Sequence, residues 1–160
     1  MAETDDTVLH GGCLCGSVRY EVRPDSLVGY YCHCRMCQLA FGNTRAAFLN
    51  VPKDALRWVT PPQHYASSKF ALRGFCANCG TPLSFEYLGS KRIDLSVGSL
   101  DDPQRVHPVS HFAVETRIAA WHADDGLPGQ RLDEYEKLTE RWMQAYGDDV
   151  VPGVAATREP

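Results

Sequence analysis

No stretch of this sequence is long and apolar enough to cross a bilayer. The opening Met1-Ala2-Glu3-Thr4-Asp5-Asp6 has neither the basic flank nor the apolar run of a secretory signal. The expected compartment is therefore the cytosol, and no membrane partner is expected. Positive charge is not in excess either: 16 Lys+Arg against 20 Asp+Glu leave a net charge of −4. That balance removes any general attraction to phosphate backbones, so a nucleic-acid partner is not expected. Repeats and interdomain linkers are missing, and 160 residues suit one hydrophobic core. A single domain over residues 11–147 is predicted, between a flexible N-terminus (1–10) and a flexible tail (148–160). Charged residues are 22% and hydrophobic ones 44%, too apolar a mix for a disordered chain. The last absence is an eighth cysteine. Seven thiols in a reducing compartment point to metal binding or catalysis rather than to a disulfide framework.

The pattern that is present is mostly that of short strands. Val18, Tyr20 and Val22 alternate with Arg19, Glu21 and Arg23 until Pro24-Asp25 ends the segment. Segments 27–32, 46–51, 56–59, 83–87, 93–97 and 112–118 are short, rich in β-branched or aromatic residues and bounded by Pro, Gly or Asp. These predict a mostly β protein of antiparallel strands. One helix is predicted near the end, where Leu132, Tyr135, Leu138, Trp142 and Ala145 recur at spacings of three and four before Gly147. Its apolar face should cover the sheet. Trp58, Trp121 and Trp142 are expected as core or sheet-covering residues.

Phe75-Cys76-Ala77-Asn78-Cys79-Gly80-Thr81-Pro82 has the form of a zinc knuckle: two thiolates in a tight turn, with a glycine free to take positive φ directly after the second. A knuckle supplies two of four tetrahedral ligands. Cys13 and Cys15 supply the others most simply, since residues two apart on an extended segment share a face, and Gly11, Gly12 and Gly16 permit a bend. A thioredoxin-type dithiol would need a strand before the motif and a helix opening at it, and Thr81-Pro82 followed by a strand pattern speaks against that. Four thiolates close the shell, so this site should stabilise the fold and not react.

Cys32-His33-Cys34-Arg35-Met36-Cys37 places three thiols in six residues. With no further cysteine to complete the shell, a fourth position is left open, which distinguishes catalytic from structural zinc. His33 is the alternative fourth ligand, but on an extended segment it points away from the face that Cys32 and Cys34 share. Three thiolates on Zn²⁺ leave about −1 of net charge, a poor setting for making hydroxide and a good one for binding a further sulfur. The substrate implied is a thiol, and about two zinc ions per chain are expected.

Taken in order, Gly12-Cys13-Leu14-Cys15-Gly16-Ser17-Val18, Cys32-His33-Cys34-Arg35-Met36-Cys37 and Phe75-Cys76-Ala77-Asn78-Cys79-Gly80-Thr81-Pro82-Leu83 resemble the glutathione-dependent formaldehyde-activating enzyme family, which includes centromere protein V. Phe48-Leu49-Asn50-Val51, Leu56-Arg57-Trp58 and Tyr65-Ala66-Ser67-Ser68 also fit, and the likeness covers residues 11–121. The resemblance implies a β-tent fold of small antiparallel sheets around zinc. It implies a structural site of Cys13, Cys15, Cys76 and Cys79 and an active site of Cys32, Cys34 and Cys37. It further implies a carbon–sulfur lyase type of activity, in which glutathione and formaldehyde combine to S-(hydroxymethyl)glutathione. Glutathione carries two carboxylates, and Arg45, Lys69 and Arg73, close in sequence to the cysteine motifs, are the candidate cations for them. The alternative is a non-catalytic zinc-stabilised module that binds a partner or senses thiols or metals.

Two weaker signals complete the reading. Trp121-His122-Ala123-Asp124-Asp125-Gly126-Leu127-Pro128 sets an imidazole beside two carboxylates, but Asp-Asp-Gly before a proline is turn chemistry; His122 and Asp124 are retained as residues to locate. His107 and His111 are four apart, but Pro108 argues against a helix that would align them, and both are expected on the surface or in a loop.

Overall fold

The structure of the protein, a computed structural model, describes residues 7–147. The tail at 148–160 and residues 1–6 of the expected flexible start lie outside the described residues, whereas Leu9 and His10 belong to the first strand. In chain order the elements are β1 (Leu9–Gly12), β2 (Arg19–Val22), β3 (Val28–Cys32), α1 (Arg35–Phe41), β4 (Ala46–Pro52), β5 (Leu56–Thr60), β6 (Gln63–Ser68), β7 (Ala71–Phe75), β8 (Pro82–Tyr87), β9 (Arg92–Ser96), β10 (His107–Phe112), β11 (Gly129–Gln130) and α2 (Glu136–Tyr146). The mostly β class is as expected. One sheet is three-stranded and antiparallel, in the order β1-β2-β5; the other has eight strands in the order β11-β10-β3-β4-β9-β8-β7-β6.

Several details differ from the pattern reading, each for a local reason. The chain returns to the open edge of β3 only after β9, and β10 lies parallel to β3 and to β11. The strand expected over 112–118 lies earlier, at His107–Phe112; Ala113 then takes φ 58° and Val114–Thr116 forms a 3₁₀ turn. The edge strand β6 carries Gln63 and His64 and shows no apolar alternation, and neither β6 nor its partner β7 was legible. A second helix, α1, adds to the single one expected. Its seven residues are too few for a periodicity to register; the backbone N–H of Cys37 donates to Cys34 Sγ at 3.3 Å to cap its start, and Gly42 at φ 58° ends it.

Register divides the eight-stranded sheet into two faces, because directly paired residues point the same way. Leu49, Leu95, Ser84 and Gly74 follow one another across β4, β9, β8 and β7 on one face. There Leu49, Val51, Ile93 and Leu95 pack with Leu9, Tyr20 and Val22 of the small sheet, and Cys13 and Cys76 belong to this same core. The opposite face carries Tyr30 and Phe48, Asn50 and Asp94, Phe85 and Arg73, with Cys32 at the end of β3. Helix α2 covers part of it, burying Leu138 and Trp142, with the indole edge-on to Phe70 at 5.4 Å. Trp58 packs edge-on to Tyr20 at 5.2 Å. Trp121 departs from expectation: it ends a 3₁₀ turn outside both sheets and is 76% exposed.

Candidate active site

The four-cysteine cluster joins two turns distant in sequence. Cys13 and Cys15 follow β1, with Gly16 at φ 79°; Cys76 and Cys79 follow β7, where the N–H of Gly80, at φ 78°, donates to the Cys76 carbonyl at 2.8 Å. The four Sγ atoms lie within 4.8 Å of one another, with Cys13 to Cys15 at 3.5 Å and Cys15 to Cys76 at 3.8 Å. A tetrahedral ion with metal–sulfur bonds of about 2.3 Å sets its ligands roughly 3.8 Å apart, so the spacing suits metal and is far too long for disulfides. N–H donors already face the sulfurs: Val18 N lies 3.2 Å from Cys13 Sγ and Asn78 Nδ2 lies 3.2 Å from Cys15 Sγ. Hydrogen bonding with Ser17 and then with Asn78 brings the Cys15 thiol down to about 5, so even the exposed member of the set favours the thiolate that a metal requires.

The three-cysteine cluster is local and buried. Cys32 ends β3, Cys34 caps α1 and Cys37 sits in its first turn, which brings all three Sγ atoms within 4.8 Å of one another. Among the described residues no further Cys, His, Asp or Glu joins this group. Hydrogen bonds from Cys32 and Cys34, followed by the Arg73 charge, hold the Cys37 thiol well below its ordinary value. The hydrogen bonds shared with Cys34 and Cys37, and then burial, push Cys32 the other way. Of the three candidate cations, Arg73 alone meets the cysteines, its Nη2 3.5 Å from Cys37 Sγ and its guanidinium over the Phe85 ring. Arg45 instead stacks on Tyr31, and Lys69 reaches the Ala145 carbonyl and the Tyr146 ring.

His33 is turned away from the cysteines, as its place on an extended segment requires. Its Nε2 lies 2.8 Å from Nδ1 of His111, whose Nε2 lies 2.9 Å from Asp125 Oδ1. With His111 donating to the carboxylate through Nε2, its Nδ1 accepts from His33. The expectation of a surface His111 is overturned: it is 1% exposed, because parallel pairing of β10 with β3 sets it in the sheet beside Tyr31. Burial, with His111 next to it, brings the His33 pKa down to about 4, so that ring is neutral at pH 7. The Asp-Asp-Gly segment is the expected turn, Asp124 and Asp125 accepting from Gly126 N and Leu127 N. It also delivers Asp125 to His111 and sets the His122 ring 5.4 Å from that of His111. These links position the cysteine loop: the His33 carbonyl accepts from Gln38 Nε2 and Thr116 Oγ1, at 2.9 and 2.8 Å.

Asp94 went unnoticed in the sequence. It lies in the middle of β9, buried, with Oδ1 accepting from Tyr30 Oη and Asn50 Nδ2, both at 3.0 Å. Burial raises its pKa to about 6 against those two hydrogen bonds. The available signal was a lone carboxylate between Ile93 and Leu95 in a strand that register makes central.

Known proteins similar to this chain fall into three comparisons. An uncharacterized lyase of Schizosaccharomyces pombe is 35% identical over 81 residues, which are 51% of this chain and 59% of the relative, so less than two thirds of that protein is matched. A crystal structure of a Rhodobacter sphaeroides protein overlays with a TM-score of 0.49 at 18% identity, covering 76% of this chain and 99% of that one. The model of the glutathione-dependent formaldehyde-activating enzyme family matches residues 8–116 and so spans all seven cysteines. The chain belongs to the glutathione-dependent formaldehyde-activating enzyme family.

Proposed function

We propose that this protein is a zinc-dependent enzyme of the carbon–sulfur lyase type, working in the cytoplasm, that adds a thiol such as glutathione to formaldehyde or another small aldehyde and catalyses the reverse cleavage. The observation that carries this reading is a cluster of three cysteines, without a fourth protein donor among the described residues, that lines a buried and mostly apolar cavity. The family's description and the lyase name of the yeast relative support it. Cys13, Cys15, Cys76 and Cys79 would form the closed structural shell, and Cys32, Cys34 and Cys37 the open one. A Zn²⁺ ion held by Cys32, Cys34 and Cys37 would lower the pKa of a bound thiol and favour the substrate thiolate at neutral pH.

The chain's own residues then do the positioning. Arg73 sets a positive charge beside Cys37, which offsets the negative charge of the cysteine set and of an incoming thiolate. The rings of Tyr30, Phe48, Phe85 and Phe112 line the cavity and exclude water that would compete for the aldehyde. In the forward direction a sulfur lone pair forms the C–S bond, the carbonyl π pair moves to oxygen, and that oxygen takes up a proton. Cleavage is the same sequence reversed.

The test combines metal analysis, titration calorimetry and exchange NMR. Two zinc ions per chain, glutathione binding with release of close to one proton near pH 7, and formaldehyde exchange faster than in a protein-free control are the expected results. Cys32→Ser or Cys37→Ser should weaken thiol binding greatly. If glutathione fails to bind at millimolar concentration and exchange matches the control, the formaldehyde reaction is not this protein's.

A further inference from the structure

The cavity against Cys32, Cys34 and Cys37 is small, about 60 Å³, but it has a larger neighbour. Tyr30, Phe85, Tyr87 and Phe112 wall both it and a second cavity of about 500 Å³. The two cavities thus adjoin across these rings, and a ligand with its sulfur at the cysteines would reach the second by passing them. Asp94 lines this second cavity, and it is the one carboxylate among the cavity's lining residues.

The surroundings of Asp94 are unusual for a buried charge. Both of its hydrogen bonds go to Oδ1, from Tyr30 and Asn50. Among the described residues no Lys, Arg or His forms a direct ion pair with it; Arg92, on the same strand and in the same cavity lining, reaches it through Asn50, which accepts from Arg92 Nε and donates to Asp94, while the Arg92 guanidinium is paired with Asp25. A buried carboxylate with two neutral donors and no cation in direct contact is costly to ionise, and such groups gather at binding sites where a ligand supplies a closer charge. On the facing wall, Lys137 and Arg141 of α2 line the same cavity. One cavity thus offers Asp94, with Arg92 beyond Asn50, on the sheet and two positive groups on the helix.

We infer that Asp94 selects the thiol substrate through a primary ammonium group, while carboxylates of the same molecule face Lys137 and Arg141. A thiol lacking the ammonium is discriminated against. The inference rests on the thiol-binding reading above.

Titration calorimetry on the zinc-loaded protein tests it with three probes: glutathione, its analogue lacking the amino group, and 2-mercaptoethanol. The parent should bind glutathione about tenfold or more tightly than the deaminated analogue, the strength of a hydrogen bond to a charged group. Asp94→Asn keeps the acceptor for Tyr30 and Asn50, and should bind both peptides equally, at the level of the deaminated one. Its binding of 2-mercaptoethanol should match the parent's. Asp94→Ser gives the same comparison should the first variant not fold. A parent that does not distinguish the two peptides, or a variant that keeps the tenfold preference, overturns the role of Asp94 while thiol binding stands. If no thiol binds the parent, both readings fall.

Discussion

The two cysteine clusters lie against opposite faces of one sheet and are assembled in different ways. The four-cysteine cluster draws on turns separated by more than sixty residues, after β1 and after β7, and packs with the core that joins the two sheets. The three-cysteine cluster comes from six consecutive residues and faces a cavity. Burial alone does not separate them by role, since Cys15 of the four-cysteine set is exposed while Cys32 and Cys37 of the three-cysteine set are buried. Donor count and span along the chain carry the proposed distinction between a structural and a catalytic site. An ion held between distant segments closes a long loop, while an ion held within one segment constrains little of the fold and is free to serve a ligand.

The largest effect that could break this comparison is loss of a long-range ligand. Cys76→Ser should lose one metal ion and the cooperative thermal transition near the parent's melting temperature, because structural zinc in small sites contributes on the order of 10 kcal/mol to folding. Cys34→Ser should lose the other ion and stay folded. Melting curves with metal analysis decide between them, and a soluble, parent-like Cys76→Ser beside an insoluble Cys34→Ser would reverse the assignment of the two sites.

The second prediction asks whether the cavity face costs stability. Asp94 titrates near 6 in the folded protein against an ordinary 3.8, so the native state holds its proton more tightly than the unfolded chain. Ionised Asp94 therefore destabilises the fold above pH 6, by roughly 3 kcal/mol at about 1.4 kcal/mol per pKa unit. The cost shrinks as pH falls through 6 and is gone below about 4. Asp94→Asn should be more stable than the parent in denaturant at pH 8, with a smaller gain at pH 5. An equal difference at both values would mean that Asp94 is not strained.

The smallest expected effect lies on the other half. Arg19 of β2 donates two hydrogen bonds to Asp101, at 2.9 and 2.5 Å, and holds that carboxyl below its usual range, but both side chains are substantially exposed. Asp101→Asn should cost less than about 1 kcal/mol, with the difference reduced at high salt, so that the stability of this half is shown to reside in its metal and core.

The sequence by itself determined the division of the cysteines into four and three, the mostly β class and the closing helix. These depend on spacings of a few residues, where backbone geometry fixes which side chains can converge, and on alternation read along single strands. The sequence also placed the Asp-Asp-Gly turn, but not the carboxylate it carries to His111. Only the tertiary structure decided that β10 returns parallel to β3, and with it that His111 is buried against His33, 78 residues away. It likewise selected Arg73 over Arg45 and Lys69 as the cation at Cys37, because β7 carries Arg73 on the face to which β3 delivers Cys32. Asp94 became conspicuous only once β9 was central and Tyr30 and Asn50 stood on the strands beyond it. The physical reason is common to all three: strand order and register set which polar groups are buried together, and no local pattern in the chain encodes that order.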